Sequence, residues 1–185
     1  MITRTLFTLL VLGTIFFAQT VNAQKRDHLT PQEVDLVKEA QALDKRIDVF
    51  IKAADRRLLV INGGAPTDAK LAKQLKKDSE KWGELPTGTR AELLTDIARI
   101  LDEAITNIDD VSARDERNPL IPKALRKLAQ SVNTMMDQLK PLRGQAKTDS
   151  EIASFESLNE GAQSILDAVV KLPPEVEKKA KAKNK

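Results

Sequence analysis

Hydrophobic residues in this chain recur at steps of three and four, and prolines punctuate the runs. In the first run Leu36, Ala40, Leu43, Ile47, Phe50, Ala54, Leu58 and Ile61 share one helical face, because 3.6 residues per turn bring positions i, i+3, i+4 and i+7 together. Thr30–Pro31–Gln32–Glu33 opens this run as a capping box. Thr30 can accept the N3 amide, Glu33 can reach back, and Pro31 at N1 lacks an N–H that would go unpaired anyway. Asn62–Gly63–Gly64–Ala65–Pro66 ends it. The pattern predicts one continuous helix over 31–61, about 46 Å long at 1.5 Å per residue.

Four further segments follow. Residues 68–82 carry a thin stripe (Leu71, Ala72, Leu75, Trp82) among five lysines, which predicts a surface helix with Trp82 plugging it onto the bundle. Gly83 to Gly88 reads as a turn. A second capping box, Thr89–Arg90–Ala91–Glu92, leads Leu93, Ile97, Leu101, Ala104, Ile108 and Val111 into a helix over 90–111. After a polar loop from Arg114 to Ile121, a helix over 122–140 starts at Pro122. It carries Leu125, Leu128, Val132, Met135, Leu139 and Leu142, has Met136 at the border of the stripe, and is closed by Pro141 and Gly144. Thr148–Asp149–Ser150–Glu151 then opens a helix over 151–171 on Ile152, Phe155, Leu158, Ala162, Ile165, Val169 and Leu172. No segment alternates as a strand would.

These segments predict an all-α fold: an antiparallel bundle of four to five amphipathic helices forming a single domain over 24–172. Helix 31–61 has six basic and six acidic residues, whereas 68–82 is net +2, 90–111 is −4, 122–140 is +3 and 151–171 is −3. The alternation in sign favours packing between helices adjacent in sequence, although exposed ion pairs contribute only about 0–1 kcal/mol each.

The two ends differ from the body. Arg4 precedes an apolar run from Leu6 to Ala18, and Val21 and Ala23 satisfy the small-residue rule for cleavage. Residues 1–23 therefore read as a signal peptide cut before Gln24, since an apolar run this short falls below the ~20 residues that span a bilayer. The expected location is outside the cytoplasm, periplasmic or extracellular. The tail 173–185 holds Lys178, Lys179, Lys181, Lys183 and Lys185 against Glu175 and Glu177. With the leader and the tail set aside, residues 24–172 sum to −1. The sequence pI near 9.1 thus belongs to the ends, and the three aromatics left after the leader cannot build a base-stacking platform, so nucleic acid is not an expected partner.

Composition excludes more chemistry than it suggests. With no cysteine and one histidine, His28, thiol, haem-attachment and His-rich metal sites are ruled out, and no cofactor is expected. His28 precedes the first cap, in a segment expected to be disordered. Asp96, Asp102, Glu103, Asp109 and Asp110 on the third helix are expected to point outward as a solvated face. Ser-, Gly- and acid-based motifs for hydrolysis, nucleotide binding or calcium binding are missing.

The densest charge lies on the first helix. Arg46, Asp48, Lys52, Asp55, Arg56 and Arg57 read as self-compensating surface charge or as a polar seam facing a partner. Arg46, Asp55 and Arg57 lie near the flanks of the stripe, where a buried Arg–Asp pair is possible. The five tail lysines could tether the chain to an anionic membrane, at about 1 kcal/mol per Lys near the surface. The functional expectation is an exported, non-catalytic binding or structural module with a protein or cell-envelope partner. The alternatives are an amphipathic-helix binder of lipid or membrane surfaces and an enzyme with a carboxylate-only site.

Overall fold

The structure, a computed structural model, describes residues 26–64 and 69–174. The expected leader, its expected cleavage site and the tail lysines lie outside the described residues. The described residues are helical, in six elements: α1 (Pro31–Glu39), α2 (Leu43–Ile61), α3 (Ala69–Trp82), α4 (Arg90–Arg114), α5 (Leu120–Arg143) and α6 (Asp149–Val170). None of these helices is long and apolar enough to cross a membrane.

The helix starts follow the local chemistry. Thr30 and Thr89 close full capping boxes with Glu33 and Glu92. Thr148 accepts from the Glu151 amide, while the Glu151 carboxylate takes the Lys147 N–H instead. Gly83, at φ +69°, follows α3 in the left-handed conformation that ends helices at little cost to glycine. α5 is longer than the 122–140 expectation. It starts two residues before Pro122, which sits in the first turn where no amide is needed, and runs through Pro141 to Arg143. Pro141 and Asp137 are exposed, so water can satisfy the carbonyl that Pro141 leaves unbonded.

The first helix is not continuous. α1 closes at Ala40, α2 opens at Ala42, and the chain reverses between them. In one straight helix Glu33 and Arg56 would stand about 35 Å apart; here the Glu33 carboxylate is 3.1 Å from the Arg56 guanidinium. No glycine or proline marks the break. It is held by tertiary contact: α1 folds back on α2, and the freed Ala40 carbonyl accepts from Arg46 at 3.1 Å. The apolar stripe survives, because Leu36, Leu43, Ile47, Phe50, Ala54 and Leu58 are all buried.

The core lies between α2, α4, α5 and α6, which form a ring in the order α2–α4–α6–α5. Phe50, Ile97, Leu128, Met135 and Leu158 fill it, all at most 1% exposed, and Met136 borders it. Cross-contacts give the helix directions. Arg46 near the start of α2 meets Asn107 near the end of α4, and Arg126 near the start of α5 meets the Pro173 carbonyl after α6. Those two pairs are antiparallel. Lys123 and Lys127 of α5 meet Asp44 and Asp48 of α2, and Thr95 of α4 meets Ser154 of α6. These two pairs run parallel.

Successive bundle helices thus alternate in direction, as expected, but two of the four sides of the ring pair parallel helices. The expected packing of sequence neighbours with opposite charge holds for α5 with α6 and fails for α4 with α5. Acidic α4 and acidic α6 pack as closely as α2 and α4 do, while α4 and α5 touch little. Buried apolar stripes outweigh exposed charge, whose pairs are worth too little to choose the arrangement.

Candidate functional site

Two places concentrate polar side chains: a buried lock between the N-terminal segment and the bundle, and an open cleft on the α2/α5 side.

The lock is built on Glu33, fully enclosed at the first turn of α1. Its carboxylate accepts from Arg56 Nε at 3.1 Å, from Arg57 at 2.8 Å and from the Thr30 amide at 2.9 Å. Arg57, 1% exposed, also donates to the carbonyls of Ala53 and His28. Arg56 reaches the other way, to the carbonyls of Trp82, Gly83 and Glu84, and its guanidinium lies 5.8 Å from the centre of the Trp82 ring. One carboxylate thus ties α1, α2, the end of α3 and residues 26–30 together.

Asp96 on α4 extends the lock. It accepts from Arg26 at 2.8 Å, and Arg57 Nε stands 3.9 Å away without a hydrogen-bond partner. Burial pushes the Asp96 carboxyl above its ordinary pKa, and Arg26, Arg57, His28 and Arg99 pull it back. Asp96 is 3% exposed, which corrects the expectation that the acids of this helix all point outward. Glu103 is half-buried against His28, with 2.7 Å between His28 Nε2 and Glu103 Oε2. His28 and Leu29 therefore belong to an ordered strap across α4, against the disorder expected there. Asp102, Asp109 and Asp110 are exposed as expected.

The expected seam divides. Arg56 and Arg57 are buried on Glu33, and Arg56 also reaches the wall of the open cleft. Arg46 is half-buried on Ala40 and Asn107. Asp48, Lys52 and Asp55 open onto a cleft of about 540 Å³ between α2, α3 and α5. Lys52 holds Asp78 of α3 at 2.7 Å, and Lys127 of α5 holds Asp48 at 2.6 Å. Ile51, Leu58, Leu59 and Leu75 supply apolar wall, while Gln130, Ser131, Thr134 and Gln138 of α5 supply donors and acceptors. α3 stands off the bundle, leaning on α1, with Trp82 half-buried as its foot.

Sequence reasoning read Glu33 as a cap alone and missed its second role. A signal for the lock was present. Arg57 and Asp96 both sit within apolar stripes, three residues after Ala54 and Leu93 and four before Ile61 and Ile100, so each needed a buried counter-charge. No signal marked which acid Arg57 would find, because the answer depends on the reversal after Ala40.

Chemically, the lock holds its carboxylates on guanidinium groups and backbone amides. Among the described residues no group of three or more His, Asp or Glu side chains is placed to hold a metal ion. A scan against protein-family models and searches of curated proteins and of solved structures found no match.

Proposed function

We propose that this chain is an exported, non-catalytic binding module whose partner is a protein or another component of the cell envelope. The observation that carries this reading is the α2/α3/α5 cleft. Its apolar walls and rows of hydrogen-bonding side chains have the mixed character of a recognition surface, and four residues of the charged seam expected from the sequence, Asp48, Lys52, Asp55 and Arg56, line it. The leader-like N-terminus supports export. The buried charges, by contrast, are engaged in holding the chain together, which argues for structure there and not for turnover.

A second reading concerns the lysine tail. Arg126 donates to the Pro173 carbonyl, so the chain leaves the bundle beside Arg126 of α5. The tail lysines would then act on an anionic membrane surface.

One experiment separates the two. The chain, a version ending at residue 172 and a Thr134→Trp variant that fills the cleft are used as baits on envelope extract, at low and high salt. A partner kept by both lengths through high salt and lost by Thr134→Trp supports the cleft. Recovery of membrane by the tailed bait alone, reversed by salt, replaces it with the tether. Capture unaffected by Thr134→Trp, or no capture, overturns the cleft reading.

A further inference from the structure

Charge on this molecule is sorted by side. α4 and α6, packed on each other, carry three basic and eleven acidic residues, and α6 has no lysine or arginine. α3 and α5 carry ten basic and three acidic residues. α6 lies diagonally across the ring from α2, and α3 stands outside α2. The acidic row and the lysine-rich helix therefore sit on opposite sides.

The sorting is regular at the helix surface. Glu156, Glu160 and Asp167 are exposed at steps of four and seven, one outward row along about 16 Å of α6. Lys73, Lys76, Lys77 and Lys81 are exposed on α3, with Glu80 as the acid among them. Beside the acidic row, Ala153, Ser157 and Ser164 are small and exposed, and within it Gln163 donates to Asp167 at 2.8 Å. Ile152 and Val170, the exposed large apolar side chains among the described residues, also lie on α6.

We propose that copies of this chain associate head to tail, the acidic face of α6 in one copy resting on the lysine face of α3 in the next. A polyanion or an anionic membrane would use the lysine side and leave the acidic row and its exposed apolar side chains without a counterpart. A second copy uses both sides, and each side finds its complement in the same sequence. Because the two faces differ and point apart, the contact is heterologous and leaves one free face of each kind at the ends of the assembly. Mass then grows with concentration and falls as salt screens the rows, since the Debye length shrinks from about 10 Å at 0.1 M to about 3 Å at 1 M. This inference goes beyond the proposed binding role and does not depend on it.

The test is light scattering coupled to size exclusion, on the chain purified with and without residues 1–23. Wild type is compared with two charge swaps, Glu156→Lys/Glu160→Lys/Asp167→Lys and Lys73→Glu/Lys76→Glu/Lys77→Glu. All six positions are exposed, and far-UV circular dichroism confirms that the helices are retained. Wild type should rise beyond a dimer at low salt and return to monomer at high salt. Each swap alone should be monomeric, whereas an equal mixture of the two, which re-creates opposite charges at every contact, should regain the wild-type mass. Wild type that stays monomeric at low salt, association that survives either swap, or a mixture that stays monomeric overturns the proposal. A monomeric wild type that shifts only when vesicles containing phosphatidylglycerol are added assigns the lysine face to a membrane instead.

Discussion

Glu33 is bound by two guanidinium groups and by the amide of its own cap, so removing it exposes the logic of the lock. Glu33→Ala leaves Arg56 and Arg57 buried without their shared counter-charge. Breaking a buried pair from one side costs about 3–5 kcal/mol, and urea denaturation should show a loss of that order. Two aspartates predict opposite pH profiles. The Lys123 hydrogen bond holds the Asp44 carboxyl below its ordinary 3.8, against a smaller opposing effect of burial. The stability it adds is therefore complete above that value and is lost as pH falls through the lower folded-state pKa. Wild type and Asp44→Asn should converge in stability on acidification. Asp96 is pushed up by burial, so its protonated form favours the fold. Relative to Asp96→Asn, wild type should lose ground as pH rises through the carboxylate range. Denaturation midpoints measured from pH 3 to 7 check both signs.

At the scale of the element, α3 stands off the four-helix ring and leans on α1. Its C-terminal end is gripped by Arg56 through the backbone of Trp82, Gly83 and Glu84, and the Lys52–Asp78 ion pair bridges its middle to α2. Arg56→Met keeps the buried stem and removes that grip while Arg57 still satisfies Glu33. Trp82, the sole tryptophan, should then shift its emission to the red and become easier to quench with acrylamide, with helix content nearly unchanged. A buried, unshifted Trp82 in this variant would contradict the anchoring role. The start of each capped helix was legible in the sequence because Ser/Thr and Glu chemistry acts within one turn. The break after Ala40 was not. It draws on an acid and two arginines more than twenty residues apart, and no local residue in Glu39–Ala40–Gln41–Ala42 disfavours helix strongly. Position within the stripe was nonetheless readable, since periodicity reports burial whether or not the helix bends.

Across the whole molecule, apolar burial decides the arrangement and charge decorates it. The segment charges of the sequence are real, yet they do not order the helices: α4 and α6 pack side by side although both are acidic. Leu158, fully buried on α6, belongs to a single apolar cluster shared by α2, α4, α5 and α6. Leu158→Ala should cost about 2–5 kcal/mol and shift one cooperative transition of the bundle, seen alike by circular dichroism and by amide exchange in α2 and α4. Release of α6 alone, with the other helices protected, would show the cluster to be divisible.

The pairing of directions around the ring has one more consequence. α2 with α4, and α5 with α6, each form an antiparallel hairpin, and the two hairpins lie side by side joined by the short connector 115–119. Their shared surface is built from the α4/α6 and α2/α5 contacts, and that surface does not require the connector to be intact. A chain cut between Arg117 and Asn118 should stay together as two complementary fragments. By the same reasoning, two intact chains unfolded and refolded at high concentration can trade their second hairpins, each completing the other.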